Sequence, residues 1–269
     1  PAAPAPVPAP PVSPGGRSGA LRALCIGIDD YRDITPLAGC RNDAASWNAA
    51  LSTLGYASRV MPQEEATAEG LIQRIGDFVA EARAGDTFVL QYSGHGTRFQ
   101  DTSGDENDGF DEAISPIDCN GAGTVGLVLD DQLRAIMGRI EPGANLLCFF
   151  DSCHSGSVTR VAFDRRLQAR AVGGPLIRRV MPTDRMRQAY AELLRANPER
   201  RNLDQRMREV VFSACQPAQS AYERDGQGDF TRHALSVLKR GGPRPSNSGF
   251  MNAVAQLFAG SLLQMPFLE

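Results

Sequence analysis

Apolar positions along this chain fall into two alternating rhythms. Short, nearly continuous apolar runs occupy residues 21–28 (LRALCIGI), 86–92 (DTFVLQY), 145–150 (NLLCFF) and 210–214, with 58–61 as a weaker case. Their length and their aliphatic and aromatic content are those of buried strands. Between them, apolar residues recur at helical spacing over 42–54, 66–83, 130–140, 230–239 and 250–258. In the second of these, Leu71, Ile72, Ile75, Phe78, Val79 and Ala82 form one stripe. Asn42 or Asp43 is placed to cap the first. Strands that are apolar throughout, alternating with amphipathic helices, predict an α/β fold with a mainly parallel sheet covered on both faces. In such sheets ligands sit beyond the carboxyl ends of the strands.

Three stretches break the rhythm. Residues 1–19 (PAAPAPVPAPPVSPGGRSG) have the composition of an extended, solvated linker and cannot build a core. They are expected to join the domain, 20–269, to an upstream domain or partner. Residues 100–112 (QDTSGDENDGFDE) read as an acidic loop. Residues 160–208 are polar and arginine-rich, with helical spacing only around 185–196. The domain thus divides into 20–160, a basic linker over about 160–208, and 209–269.

Composition narrows the function classes. Lys plus Arg total 28 against 31 Asp plus Glu, for a net charge of −3, so no nucleic-acid footprint is expected. No window approaches the roughly 20 apolar residues of a membrane span. The six cysteines include no C-x-x-C pair and no zinc-finger spacing. Cys25 and Cys148 lie inside apolar runs, which argues for free thiols and a reducing, cytoplasmic setting.

Two predicted strands end in chemically suggestive tetrapeptides. One runs into Ser93-Gly94-His95-Gly96, the other into Asp151-Ser152-Cys153-His154. Thiol catalysis needs a nucleophile, a base to ionise it and donors for the oxyanion. A residue just past a buried strand and before a glycine turn is expected to be exposed and rigidly placed, and both Cys153 and His95 meet that description. The chain has only three histidines. His154 adjoins the nucleophile, where neighbouring side chains point apart, and His233 lies in a helix-like stretch. His95 is the base these considerations select.

The run YSGHG (92–96), the acidic loop and the strand ending DSCHSG (151–156) resemble the caspase-like cysteine peptidases, specifically the metacaspase and bacterial orthocaspase branch. The likeness extends to LAGCRNDA (37–44), SAC (213–215) and GDFT (228–231), in the family's order. The resemblance implies a caspase-like fold and a His95–Cys153 dyad, with the amides of Gly96 and Cys153 as oxyanion donors and no cofactor needed for the chemistry. It implies an acidic pocket of Cys40, Asp43, Ser93 and Asp151 that receives the Arg or Lys side chain of a protein or peptide substrate. Asp43 as a helix cap and Asp151 as support of its own turn are the plainer readings. The resemblance places an activating calcium at Asp111, Asp130 and Asp131, but the position where a further acidic ligand is expected holds Arg160. Charge at a helix N-terminus is the competing reading of Asp130 and Asp131. Self-cleavage in the basic linker would fall after Arg165, Arg166, Arg170, Arg178 or Arg179. Three rivals stand beside the endopeptidase: a caspase-like hydrolase of Asp or other specificity, a non-catalytic interaction module, and a calcium-binding sensor, against which Arg160 argues.

Overall fold

The computed structural model describes residues 19–100, 110–119, 126–153, 177–178, 209–216, 219–240, 246–259, 261 and 264–268, with the backbone course alone at 98–100, 110–111 and 177–178. The central sheet comprises β1 (Leu21–Gly27), β2 (Ala57–Val60), β3 (Thr87–Ser93), β7 (Asn145–Asp151), β9 (Glu209–Ser213) and β12 (Phe267–Leu268) in the order β12-β9-β7-β3-β1-β2. Every pairing is parallel except β12 with β9. A small antiparallel sheet joins β4 (Gly96–Gln100), β5 (Phe110–Ile114) and β6 (Val128–Leu129). A second joins β8 (Ile177–Arg178), β10 (Tyr222–Arg224) and β11 (Gln227–Gly228).

Alternation along β1 divides the core. Leu24 and Ile26 pack with Leu71, Ile75, Phe78 and Val79 of α2 (Ala68–Ala80) and with Leu133, Ile136 and Met137 of α3 (Asp130–Met137). Ala23 and Cys25 face the other side. There they meet Trp47 and Leu51 of α1 (Cys40–Thr53), Phe230 and Leu235 of α4 (Asp229–Leu238), and Phe250 and Val254 of α5 (Asn247–Gln256). Helices therefore cover both faces, as the period-two and period-3.6 patterns require. Phe149 of β7 stacks on Phe212 at 4.5 Å and 8°, and its centroid lies 4.5 Å from that of Trp47. Burying each such aromatic contributes about 1.5–3 kcal/mol, so β7 is firmly seated. Among the described residues no helix is long and apolar enough to cross a membrane.

The strand and helix expectations hold to within a few residues, with two corrections. Helix α1 starts at Cys40 behind Gly39, so neither Asn42 nor Asp43 caps it. The Asp29 carboxylate instead takes the N–H groups of Cys40 (2.8 Å) and Arg41 (3.2 Å). Helix α2 is capped by Thr67, whose hydroxyl accepts from Gly70 N–H at 3.0 Å. Phe110–Ile114, read in part as acidic loop, is a strand, because pairing with Gly96–Gln100 supplies partners that the polar sequence alone does not advertise. Residues 1–18, most of the acidic loop, the 185–196 helix expectation, His154 and Arg160, Arg165, Arg166, Arg170 and Arg179 lie outside the described residues, and Arg178 is described only as part of β8.

Candidate active site

Strands β3 and β7 are parallel neighbours in exact correspondence from Thr87↔Asn145 to Ser93↔Asp151. The ladder runs one residue further, with Gly94 N–H donating to Asp151 O at 3.4 Å. His95 and Cys153 each lie two residues beyond the last pair, so the register carries both just past the same end of the sheet. The fit there is close. A Cβ on Gly96 would sit 2.5 Å from Cys153 O and 3.3 Å from Ala113 O, both main-chain atoms that cannot swing aside. Gly96→Ala should therefore push β4 away from Cys153 and lower kcat about 10²-fold. Steady-state kinetics beside a melting curve check this; full activity would contradict the packing.

His95 is held from several sides. Its N–H donates to Tyr31 Oη (2.8 Å), and its carbonyl accepts from Tyr92 Oη (2.9 Å) and Ser115 N–H (3.0 Å). The Tyr31 and His95 rings lie 4.8 Å apart. Burial pushes both phenols well above their ordinary range, so they remain neutral hydrogen-bonding groups. Nε2 of His95 lies 2.8 Å from Thr35 O. A carbonyl oxygen can only accept, so Nε2 carries the proton of the neutral ring and Nδ1 holds the basic lone pair. Thr35 acts through a backbone carbonyl and Tyr31 reaches His95 from 64 positions away, whereas Tyr92 stands three residues before His95 in the YSGHG run. Nothing in the local sequence of Thr35 or Tyr31 marked them.

Both residues are buried, which corrects the expectation of exposure: Cys153 is 0% and His95 1% accessible. Cys153 Sγ accepts the N–H of Ala221 at 2.6 Å and lies 3.2 Å from Ala221 O. The segment leading into β10 thus covers the sulfur, a long-range contact invisible to strand-end reasoning.

The four predicted pocket residues gather around the same end of the sheet, all buried. Asp43 does not cap its own helix: its carboxylate accepts Gly228 N–H at 3.0 and 3.3 Å. Asp151 does not brace its own turn: its Oδ2 accepts the N–H (2.9 Å) and hydroxyl (2.8 Å) of Thr231. Ser93 Oγ accepts from Gln91 Nε2 at 2.7 Å. Cys40 Sγ lies 3.9 Å from Glu223 Oε2, and Glu223 also takes the N–H groups of Ala38 (2.8 Å) and Gly39 (3.1 Å). Glu223 is a buried carboxylate that the sequence reading missed; in the charged run Glu223-Arg224-Asp225 nothing local set it apart. The guanidinium of Arg232, ion-paired with Asp229, lies close enough for Asp43 and Asp151 to support its charge. Burial, with the charge of Arg224, still holds it below its ordinary range.

The predicted metal residues are brought to one region without forming a visible metal cluster. Asp130 and Asp131 begin α3 and both pair with Arg134, at 3.4 and 3.0 Å. That is the helix-terminus arrangement. Asp111 lies on β5 two residues before Ala113, which pairs with Leu129, the residue before Asp130. Hard oxygen donors at this end suit calcium, while Arg134 already supplies a counter-charge. Among the described residues no group of three metal-ligating side chains converges.

A family model described as the metacaspase, peptidase C14 domain matches residues 21–162. Metacaspase-1A of Neurospora crassa is 39% identical over 152 residues, covering 52% of this chain and 33% of that protein. Metacaspase-1A of Aspergillus niger is 36% identical over 178 residues, covering 58% and 43%. The chain thus spans well under half the length of these relatives. A solved structure of a Geobacter sulfurreducens protein superposes with a TM-score of 0.72 at 28% identity, over 93% of this chain and 92% of that one.

Proposed function

The chain belongs to the metacaspase family of peptidase C14 domains, and from that membership we propose that it is a cysteine endopeptidase cutting after arginine or lysine through Cys153 and His95. The observation that carries the reading is the β3–β7 register, which sets His95 and Cys153 equally far past the Ser93↔Asp151 pair. Beside them lie the buried carboxylates Asp43, Asp151 and Glu223. With Nε2 tied to Thr35 O, Nδ1 of His95 takes the thiol proton. The thiolate attacks the scissile carbonyl, and the Gly96 and Cys153 amides receive the oxyanion. His95 then protonates the leaving amine, and water hydrolyses the thioester. Attack requires the sulfur to leave its contacts with Ala221, so the resting arrangement is covered and substrate entry must displace it. A buried carboxylate cluster favours a guanidinium or ammonium and disfavours an acidic residue at the same place. That is the basis for preferring basic specificity over Asp.

Calcium activation and self-processing are finer readings of the same kind. Calcium would be held by Asp111, Asp130 and Asp131 and would have to displace Arg134 from the last two. Processing would follow Arg165, Arg166, Arg170, Arg178 or Arg179 in the basic linker. The six unbridged cysteines fit a reducing, cytoplasmic setting.

The test is hydrolysis of fluorogenic peptides ending in Arg, Lys or Asp, with calcium and with a chelator, alongside intact-mass analysis. Cleavage after Arg and Lys, with fragments ending at a linker arginine, is the expected result. A rate unchanged by chelation removes the calcium reading, and an intact chain in fully active protein removes self-processing. No cleavage of any peptide by folded protein would favour the non-catalytic module.

A further inference from the structure

Trp47 packs in the core beside Phe149, and its indole is also part of a directed hydrogen-bond chain. Trp47 Nε1–H lies 3.2 Å from Thr231 Oγ1, and Thr231 Oγ1–H lies 2.8 Å from Asp151 Oδ2. An indole N–H only donates, and an ionised carboxylate only accepts, so the polarity of the chain is fixed from Trp47 through Thr231 to Asp151. The Thr231 N–H meets the same oxygen at 2.9 Å. One carboxylate oxygen is therefore pinned twice by one residue, which fixes the plane of the carboxylate and the direction of its second oxygen. All three side chains are buried, where such bonds are not exchanged for water.

The partners come from three separate elements, α1, α4 and β7. Three residues before Thr231, Gly228 N–H holds Asp43. The first turn of α4 thus grips both pocket carboxylates, one reached from α1 and one from β7, and sets the distance between them. A planar guanidinium needs two acceptors at a defined separation, whereas an ammonium is a point charge that tolerates looser placement.

We propose that Thr231, with its hydroxyl oriented by Trp47, is the positioning residue that aims Asp151 and thereby sets the preference for arginine over lysine. The proposal rests on the basic-pocket reading above. Thr231→Val keeps the shape and the N–H bond but removes the hydroxyl donor. It is expected to raise KM for an Arg peptide about tenfold with kcat changed less than about twofold, and to narrow the Arg-to-Lys ratio of kcat/KM. Thr231→Ser restores the donor and should behave as wild type. Trp47→Phe keeps a ring in the core, removes the indole donor and should shift the ratio the same way by less. Thr231→Ser and Trp47→Phe also keep the test alive if the valine variant fails to fold, which a melting curve reports.

Equal losses for Arg and Lys peptides, an unchanged KM in Thr231→Val, or a serine variant as impaired as valine would each overturn the proposal. A wild-type protein with no basic preference overturns the pocket reading itself and this proposal with it. A wild type that prefers Arg while Thr231→Val retains the same preference overturns this proposal alone.

Discussion

Cys153→Ala is expected to reduce kcat/KM for peptide hydrolysis about 10⁴-fold or more, to the level of binding and oxyanion contributions alone. Three of the other thiols cannot stand in. Burial pushes Cys25 and Cys119 up to about 12 and Cys148 well above its ordinary range, so these remain protonated at neutral pH and lie inside the cores. His95→Ala should fall nearly as far, and the double variant little further, because base and nucleophile act as one unit. The substitution removes one sulfur from a site closed by the Ala221 main chain, so the variant should fold. Progress curves with an Arg peptide, together with a mass shift on alkylation that appears in wild type and is lost in Cys153→Ala, make the measurement. Retained hydrolysis would move the nucleophile elsewhere.

Asp151→Asn and Asp43→Asn are expected to lower kcat/KM for Arg peptides about 10²-fold each, mostly through KM, with smaller changes for a neutral peptide. Each carboxylate is buried and accepts main-chain N–H groups at the start of α4. Neutralising it removes the charge that a substrate cation would meet and leaves only a weaker acceptor. Both charges also complement the positive end of that helix, so each variant should lose about 1 kcal/mol of stability. Kinetics with Arg, Lys and neutral peptides separates the two effects, since lost stability alone would not discriminate among substrates. Undiminished Arg selectivity in both variants would exclude these carboxylates from the pocket.

Much of this was legible one element at a time. The strands ending at Ser93 and Asp151 could be read because fully buried parallel strands are apolar along their whole length. The motif residues at their ends could be read because polar and glycine residues interrupt that apolarity. Short antiparallel strands escaped notice: FDEAI is acidic, and its strand character comes from its partner rather than from its own sequence. Thr35 escaped because it works through a carbonyl, which every residue carries. Glu223 and Thr231 escaped because their partners are 183 to 185 and 80 positions away for Cys40, Gly39, Ala38 and Asp151.

By itself the sequence determined the alternation of strands and helices, the two tetrapeptides that carry a thiol and an imidazole, and the family likeness. Each of these is local: hydrophobic period, residue type and spacing along a single segment. Only the tertiary structure decided that Asp43 reaches Gly228 rather than its own helix, that Asp151 reaches Thr231 rather than its own turn, and that Ala221 covers Cys153. Buried polar groups must find partners wherever packing brings donors near. That choice depends on how separate elements meet across the sheet, which no single segment encodes.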